Sequence, residues 1–81
     1  MQVAVDISLY PLDENFIPPI KAVIERLSHY DGVAIEYNRM STQLRGEYDV
    51  VMPALSAEIG RTFETVPHAV FAIKILNNPV N

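Results

Sequence analysis

Val33-Ala34-Ile35-Glu36-Tyr37-Asn38-Arg39-Met40-Ser41-Thr42-Gln43-Leu44-Arg45-Gly46 is the stretch whose reading decides the fold. Val33, Ile35 and Tyr37 alternate with Ala34, Glu36, Asn38 and Met40, the period of a strand that lays one face on a core. Ser41 to Gly46 reads as a third, short strand reached through a tight link, with Gly46 closing a turn or leaving room for a close approach. Two strands in direct succession at the middle of a chain form the centre of a split βαβ arrangement when each flank supplies one strand and one helix. Both flanks do.

Upstream, Val3, Val5, Ile7 and Leu9 alternate with Gln2, Ala4, Asp6, Ser8 and Tyr10, and Pro11 stops the run, so Gln2 to Tyr10 is the first strand. Leu12 to Asn15 is a short polar connection with Asn15 as the expected N-cap, and Pro18-Pro19 suit a first helical turn, where amide hydrogens have no helical partner. Ile17, Ile20, Val23, Ile24 and Leu27 then recur at helical spacing, opposite Lys21, Glu25 and Arg26. Gly32 can take the left-handed conformation that closes this helix, and His29 in its last turn complements the helix dipole.

Downstream, Asp49 is the expected cap of a second helix carrying Val51, Leu55, Ile59 and Thr62 or Phe63 on one side. Pro53 predicts that this helix either begins later than Asp49 or distorts in its first turn; Gly60 weakens its far end and Pro67 bounds it. His68 to Leu76 is the last strand, followed by an expected frayed tail from Asn77 to Asn81. Its second face carries Val70, Ala72 and Leu76, which one layer of helices would leave in water. This predicts a homo-oligomer, dimer or tetramer, formed through the sheet face. The order is strand, helix, strand, strand, helix, strand: an α+β, ferredoxin-like βαββαβ sandwich with a four-stranded antiparallel sheet and both helices on one face. Residues 1–81 are read as a single domain, small enough for self-association to add to its stability.

Composition narrows the function. The chain has 49% hydrophobic and 20% charged residues, as a folded protein does. Without cysteine it has neither a thiolate nucleophile nor a metal-chaperone cysteine pair, and two histidines are little material for a metal site. A net charge of −4, with the basic residues scattered, argues against nucleic acid, as does the lack of a basic-aromatic motif on the inner strands. No apolar run approaches the roughly 20 residues that span a bilayer, and no signal peptide is visible, so no membrane insertion is expected and the cytoplasm is the expected location. Residues 11–15 hold two carboxylates and no arginine or glycine, unlike a phosphate cradle. His68 reads as a strand-edge residue, and no poised acid–base pair is evident, so no enzyme and no cofactor are expected.

What stands out is a concentration of varied hydrogen-bonding side chains. Asn38, Met40, Ser41, Thr42, Gln43 and Glu47 surround the link between the middle strands, and Ser8 and Tyr10 project together from the first strand. An aminopyrimidine offers adjacent donors and acceptors that such groups match, and its faces suit Tyr or Met packing. A carboxylate nearby, from Asp6, Glu36 or Glu47, would favour a cationic ring, whereas Arg39 and Arg45 would favour a phosphorylated ligand. The alternative is that Ser41, Thr42 and Gln43 only satisfy a strand turn, leaving a structural or regulatory interaction domain that acts through its open sheet face.

Met40-Ser41-Thr42-Gln43-Leu44 with Gly46-Glu47-Tyr48-Asp49 and Val51-Met52 behind it, preceded by Ser8-Leu9-Tyr10-Pro11-Leu12 and followed by Val70 to Leu76, resembles the YkoF-like thiamine/hydroxymethylpyrimidine-binding family over nearly the whole chain. The resemblance implies a ferredoxin-like domain that associates through its sheet and binds thiamine or its pyrimidine part without chemistry, in salvage or transport. Some members carry two such domains, where this chain has one. Ser8, Tyr10, Met40, Ser41 and Thr42 are the positions that carry over; Asn38, Glu36 and Glu47 are added from their chemistry alone.

Overall fold

The computed structural model describes residues 1–79. β1 (Gln2–Pro11), α1 (Ile17–Leu27), β2 (Ala34–Tyr37), β3 (Thr42–Glu47), α2 (Tyr48–Thr65) and β4 (Ala69–Asn77) follow in the expected order. The strands form one antiparallel sheet ordered β2-β3-β1-β4, so β1 is paired on both sides. Its partners run from Gln2↔Glu47 to Ile7↔Thr42 on β3 and from Val3↔Asn77 to Pro11↔Ala69 on β4. This is the ferredoxin-like α+β fold.

The period of two dictates which side chains meet the helices. Val3, Val5 and Ile7 of β1 and Leu44 of β3 are buried, together with Val33, with Val23 and Leu27 of α1, and with Val51, Ala54 and Leu55 of α2. Each large apolar side chain removed from water in this core contributes about 1.5–3 kcal/mol, offset by the entropy of ordering the chain. The opposite face carries Ala4, Asp6, Ser8 and Tyr10 beside Lys74, Val70 and Leu76, and among these Tyr10, Val70, Lys74 and Leu76 are exposed.

Several boundaries differ from the sequence expectation, each for a local reason. Phe16, not Asn15, occupies the N-cap of α1; the Asn15 N–H is taken by Asp13 Oδ1 at 2.9 Å, which shapes the connection instead. Pro18 and Pro19 have no N–H, so the first turn has fewer donors to cap. β2 ends at Tyr37 rather than Met40 because Asn38 Oδ1 accepts the N–H groups of Met40 at 2.7 Å and Ser41 at 3.1 Å, folding 38–41 into a turn. α2 begins at Tyr48, one residue before Asp49, with Glu47 as N-cap, and it runs through Pro53 and Gly60. Pro53 removes only the bond that would reach the Asp49 carbonyl. The tail is not frayed at its start: Asn77 lies in β4 and the Asn78 N–H donates to the Gln2 carbonyl at 3.0 Å, while Val80 and Asn81 lie outside the described residues.

Gly46 sits where β3 crosses the end of the α1–β2 connection. A Cβ there would lie 2.4 Å from the Gly32 carbonyl oxygen, so the close approach read from the sequence is real.

Candidate functional site: a cleft between α1 and the parted strands

β1 and β3 stop pairing at Ile7↔Thr42, although β1 continues to Pro11 along β4. The turn at 38–41 lifts the chain away from β1 there, and a cleft of about 170 Å³ opens between the parted strands and α1. Ile20, Val23 and Ile24 of α1 supply an apolar wall, and Phe71 of β4 closes another side. Phe71 is braced by Phe63 of α2, the ring centroids 5.7 Å apart.

Ser8, Tyr10, Asn38, Met40, Ser41 and Thr42 all line this cleft, so two blocks some thirty residues apart in sequence are brought together. Their availability differs. Ser8 Oγ reaches the Met40 carbonyl at 3.5 Å, the limit of a hydrogen bond. The Asn38 carbonyl oxygen is spent on the turn, leaving its amide N–H₂. Ser41 Oγ donates to Asp6 Oδ1 at 2.6 Å and accepts from Gln43 Nε2 at 3.1 Å, so its hydroxyl faces the open side of the sheet. Thr42 is only 9% exposed and lines the cleft; its side chain makes no hydrogen bond among the described residues, and since no buried side-chain oxygen there is orphaned, its hydroxyl is accessible from the cleft. Met40, 83% exposed, stands at the mouth.

Glu47 is not part of this cluster. It lies at the far end of β3, where its carboxylate receives the Met1 α-amino group at 2.9 Å and Gln2 Nε2 at 2.7 Å. Those two hydrogen bonds hold its pKa below the usual carboxylate value, and the carboxylate in turn raises that of the amino group. Asp6 and Glu36 face the open side of the sheet with Gln43, Arg45 and Lys74. The hydrogen bond from Ser41 is the main cause of a lowered Asp6 pKa, with Gln43 and Lys74 adding to it. Among the described residues no carboxylate lines the cleft, and Arg39 is its one charged residue. Arg45 lies on the other face.

Glu58 was not singled out by the sequence reading. It is 2% exposed on α2, paired with Arg26 Nε of α1, and its other oxygen accepts the Tyr30 hydroxyl at 2.9 Å, with Arg61 Nε at 3.8 Å. The carboxylate holds the phenolic proton, so the Tyr30 pKa is raised. The signal was in the sequence: Leu55, Glu58, Ile59 and Thr62 keep helical spacing, which places a carboxylate inside the apolar stripe. This tie fixes α1 against α2, and α1 is the cleft's outer wall. Among the described residues no group of acidic or histidine side chains could hold a metal, and no helix is long and apolar enough to cross a membrane.

The model of the YkoF-related family matches residues 2–81. The chain belongs to that family. Solved structures similar to this YkoF-related protein include a hypothetical protein of Methanocaldococcus jannascii, with 26% identity and a TM-score of 0.83 over 99% of this chain and 84% of the other. A Streptococcus pneumoniae protein, 22% identical, superposes with a TM-score of 0.90 over 99% and 90% of the two chains. A Thermotoga maritima protein provisionally assigned to thiamine biosynthesis or salvage, also 22% identical, gives 0.82 over 93% and 82%. At 22% identity the likeness speaks for the fold. No curated protein sequence matches the chain.

Proposed function

We propose that the cleft binds the aminopyrimidine ring of thiamine, or free hydroxymethylpyrimidine, and releases it unchanged, in salvage or transport of the vitamin within the cytoplasm. The observation that carries this reading is the convergence of Ser8, Tyr10, Asn38, Met40 and Thr42 on one small cleft whose wall on the α1 side is apolar. Family membership and the thiamine-related role assigned to the Thermotoga protein support the ligand class. The cleft is smaller than the roughly 300–1,000 Å³ of pockets that enclose drug-sized ligands, which suits one ring rather than two. Among the described residues the charged group lining the cleft is Arg39, which does not favour the thiazolium cation inside and suits that ring lying outside. The chain self-associates through the open sheet face, where Val70 and Leu76 are exposed.

A thermal-shift titration with thiamine, thiamine phosphate, hydroxymethylpyrimidine and an unrelated aromatic amine tests the reading. A ligand at a hundred times its dissociation constant adds about 2.7 kcal/mol, enough to raise Tm by several degrees in a chain of this size. Saturable shifts with thiamine or its pyrimidine, weakened by about 1–3 kcal/mol of binding energy in Thr42→Val, are expected. No shift with any of them at millimolar concentration sinks the proposal. The exposed apolar residues of the sheet face then favour the second reading, a domain that docks a protein partner there.

A further inference from the structure

The backbone of β1 carries a feature that no side chain reveals. In an antiparallel ladder successive residues aim their N–H and C=O alternately at the two neighbouring strands. The Met1 carbonyl accepts the Tyr48 N–H on the β3 side, and the Gln2 carbonyl accepts the Asn78 N–H on the β4 side. The Leu12 N–H, an even position like Gln2, donates to His68 on the β4 side as well. Odd-numbered residues of β1 therefore face β3. Val3, Val5 and Ile7 find Gly46, Leu44 and Thr42 there, and the next in line, Leu9, would meet Met40.

Met40 does not complete that pair. Its N–H goes to Asn38 Oδ1 at 2.7 Å, and its carbonyl is approached by Ser8 Oγ, not by the Leu9 amide. Leu9 is half-buried, lines the cleft, and presents an N–H and a C=O side by side with neither engaged by β3. The gap is one residue long. Ile7 is paired on one side, and Pro11 on the other has no N–H and gives its carbonyl to the Asp13 N–H at 2.9 Å. An added peptide strand would need several such positions in a row, whereas the edge of a flat heterocycle needs one.

We infer that the Leu9 peptide is the recognition edge of the cleft: its N–H donates to a ring nitrogen and its C=O accepts from the amino group beside that nitrogen. The inference rests on the ligand reading above and deepens it, because it selects rings with an acceptor adjacent to an amino donor. Such a peptide costs free energy when half-buried and unpaired, and water satisfies it only until a ligand replaces the water with matched geometry. A ring with a carbonyl in place of the amino group carries N–H where the acceptor was, so donor faces donor and acceptor faces acceptor.

Amide spectra of the uniformly ¹⁵N-labelled chain test this, titrated with hydroxymethylpyrimidine and with the analogue whose exocyclic amino group is replaced by oxygen. In the free protein the Leu9 amide exchanges with solvent quickly and the Ile7 amide slowly. Saturation with hydroxymethylpyrimidine moves the Leu9 amide proton downfield and slows its exchange at least about tenfold, and the oxo analogue binds at least about tenfold more weakly. Shifts at Thr42 and Met40 with the Leu9 amide unmoved and still exchanging would overturn the Leu9 assignment while leaving the ligand reading intact. Equal affinity for the two rings, or a Leu9 amide already protected in the free protein, overturns it too. No shift anywhere with either ring at millimolar concentration overturns both.

Discussion

Removing Arg26 should cost more stability than removing its partner Glu58, although the two form one ion pair. The side chain of Glu58 is 3% exposed and that of Arg26 35%. In Arg26→Leu the carboxylate stays buried with only the Tyr30 hydroxyl and Arg61, at 3.8 Å, to hold its charge. Stranding a buried charge this way costs about 3–5 kcal/mol, which the remaining partners and the part-exposure of Arg26 reduce to about 2–3 kcal/mol. In Glu58→Leu the guanidinium can turn to water on its flexible stem, and the loss is largely the Tyr30 hydrogen bond, about 1 kcal/mol. The double variant should then lie close to Glu58→Leu alone, because no stranded charge remains. Urea unfolding followed by circular dichroism measures all three, and the predicted gap of about 1–2 kcal/mol corresponds to roughly 4–16 °C in Tm for a chain of this length. Arg26→Leu as stable as Glu58→Leu, or a double variant as unstable as the sum of the two, would refute the argument that burial asymmetry governs the pair.

Gly46→Ala should fail to accumulate as folded protein or lose several kcal/mol, since its methyl group would sit 2.4 Å from the backbone oxygen of Gly32 and 3.0 Å from Val51 Cγ2, so that backbone must shift to admit it; a normal unfolding midpoint would show that the connection yields. Glu47→Gln should leave ligand affinity unchanged, because its carboxylate serves the N-terminus and Gln2 far from the cleft, and calorimetry showing a large loss would return it to the site. Asp6 has a folded-state pKa below its ordinary value, so its contribution is complete above the unfolded value near 3.8 and is lost as pH falls through the lower folded one. The stability of wild type over Asp6→Asn should therefore shrink as pH falls below 3.8, and a difference between the two that does not change with pH across the acid range would argue against the Ser41 tether.

Strand and helix periodicity made the fold legible because nearly every element keeps one face apolar. The boundaries that moved are those set by side chains bonding to backbone: Asp13 and Asn38 each capture N–H groups that a propensity reading assigns to a cap or a strand. The cleft's residue types were visible in the Ser8–Tyr10 and Asn38–Thr42 blocks, since hydroxyls and amides crowd there without need. Which of them remain available was not visible, because that depends on register: Ser41 falls opposite the helix side and is consumed by Asp6, and Thr42 falls into the cleft. Leu9 is a further case. Its side chain looks like ordinary core, and only the point at which two strands part exposes its peptide.

The placement of β1 between β3 and β4 also shapes how the molecule comes into being. β1 lies at one end of the sequence and its longest pairing, from Val3↔Asn77 to Pro11↔Ala69, is with the other end. Nothing local rewards that pairing, so the entropy of closing nearly the whole chain must be met before β4 contributes, which places folding with the slower, non-local topologies. Until β4 docks, β1 has an open flank of unpaired amides and the apolar residues Val5 and Ile7 lack part of their cover. A half-assembled chain of this kind is exposed to pairing with other strands, and the time spent before β1 and β4 meet sets that risk.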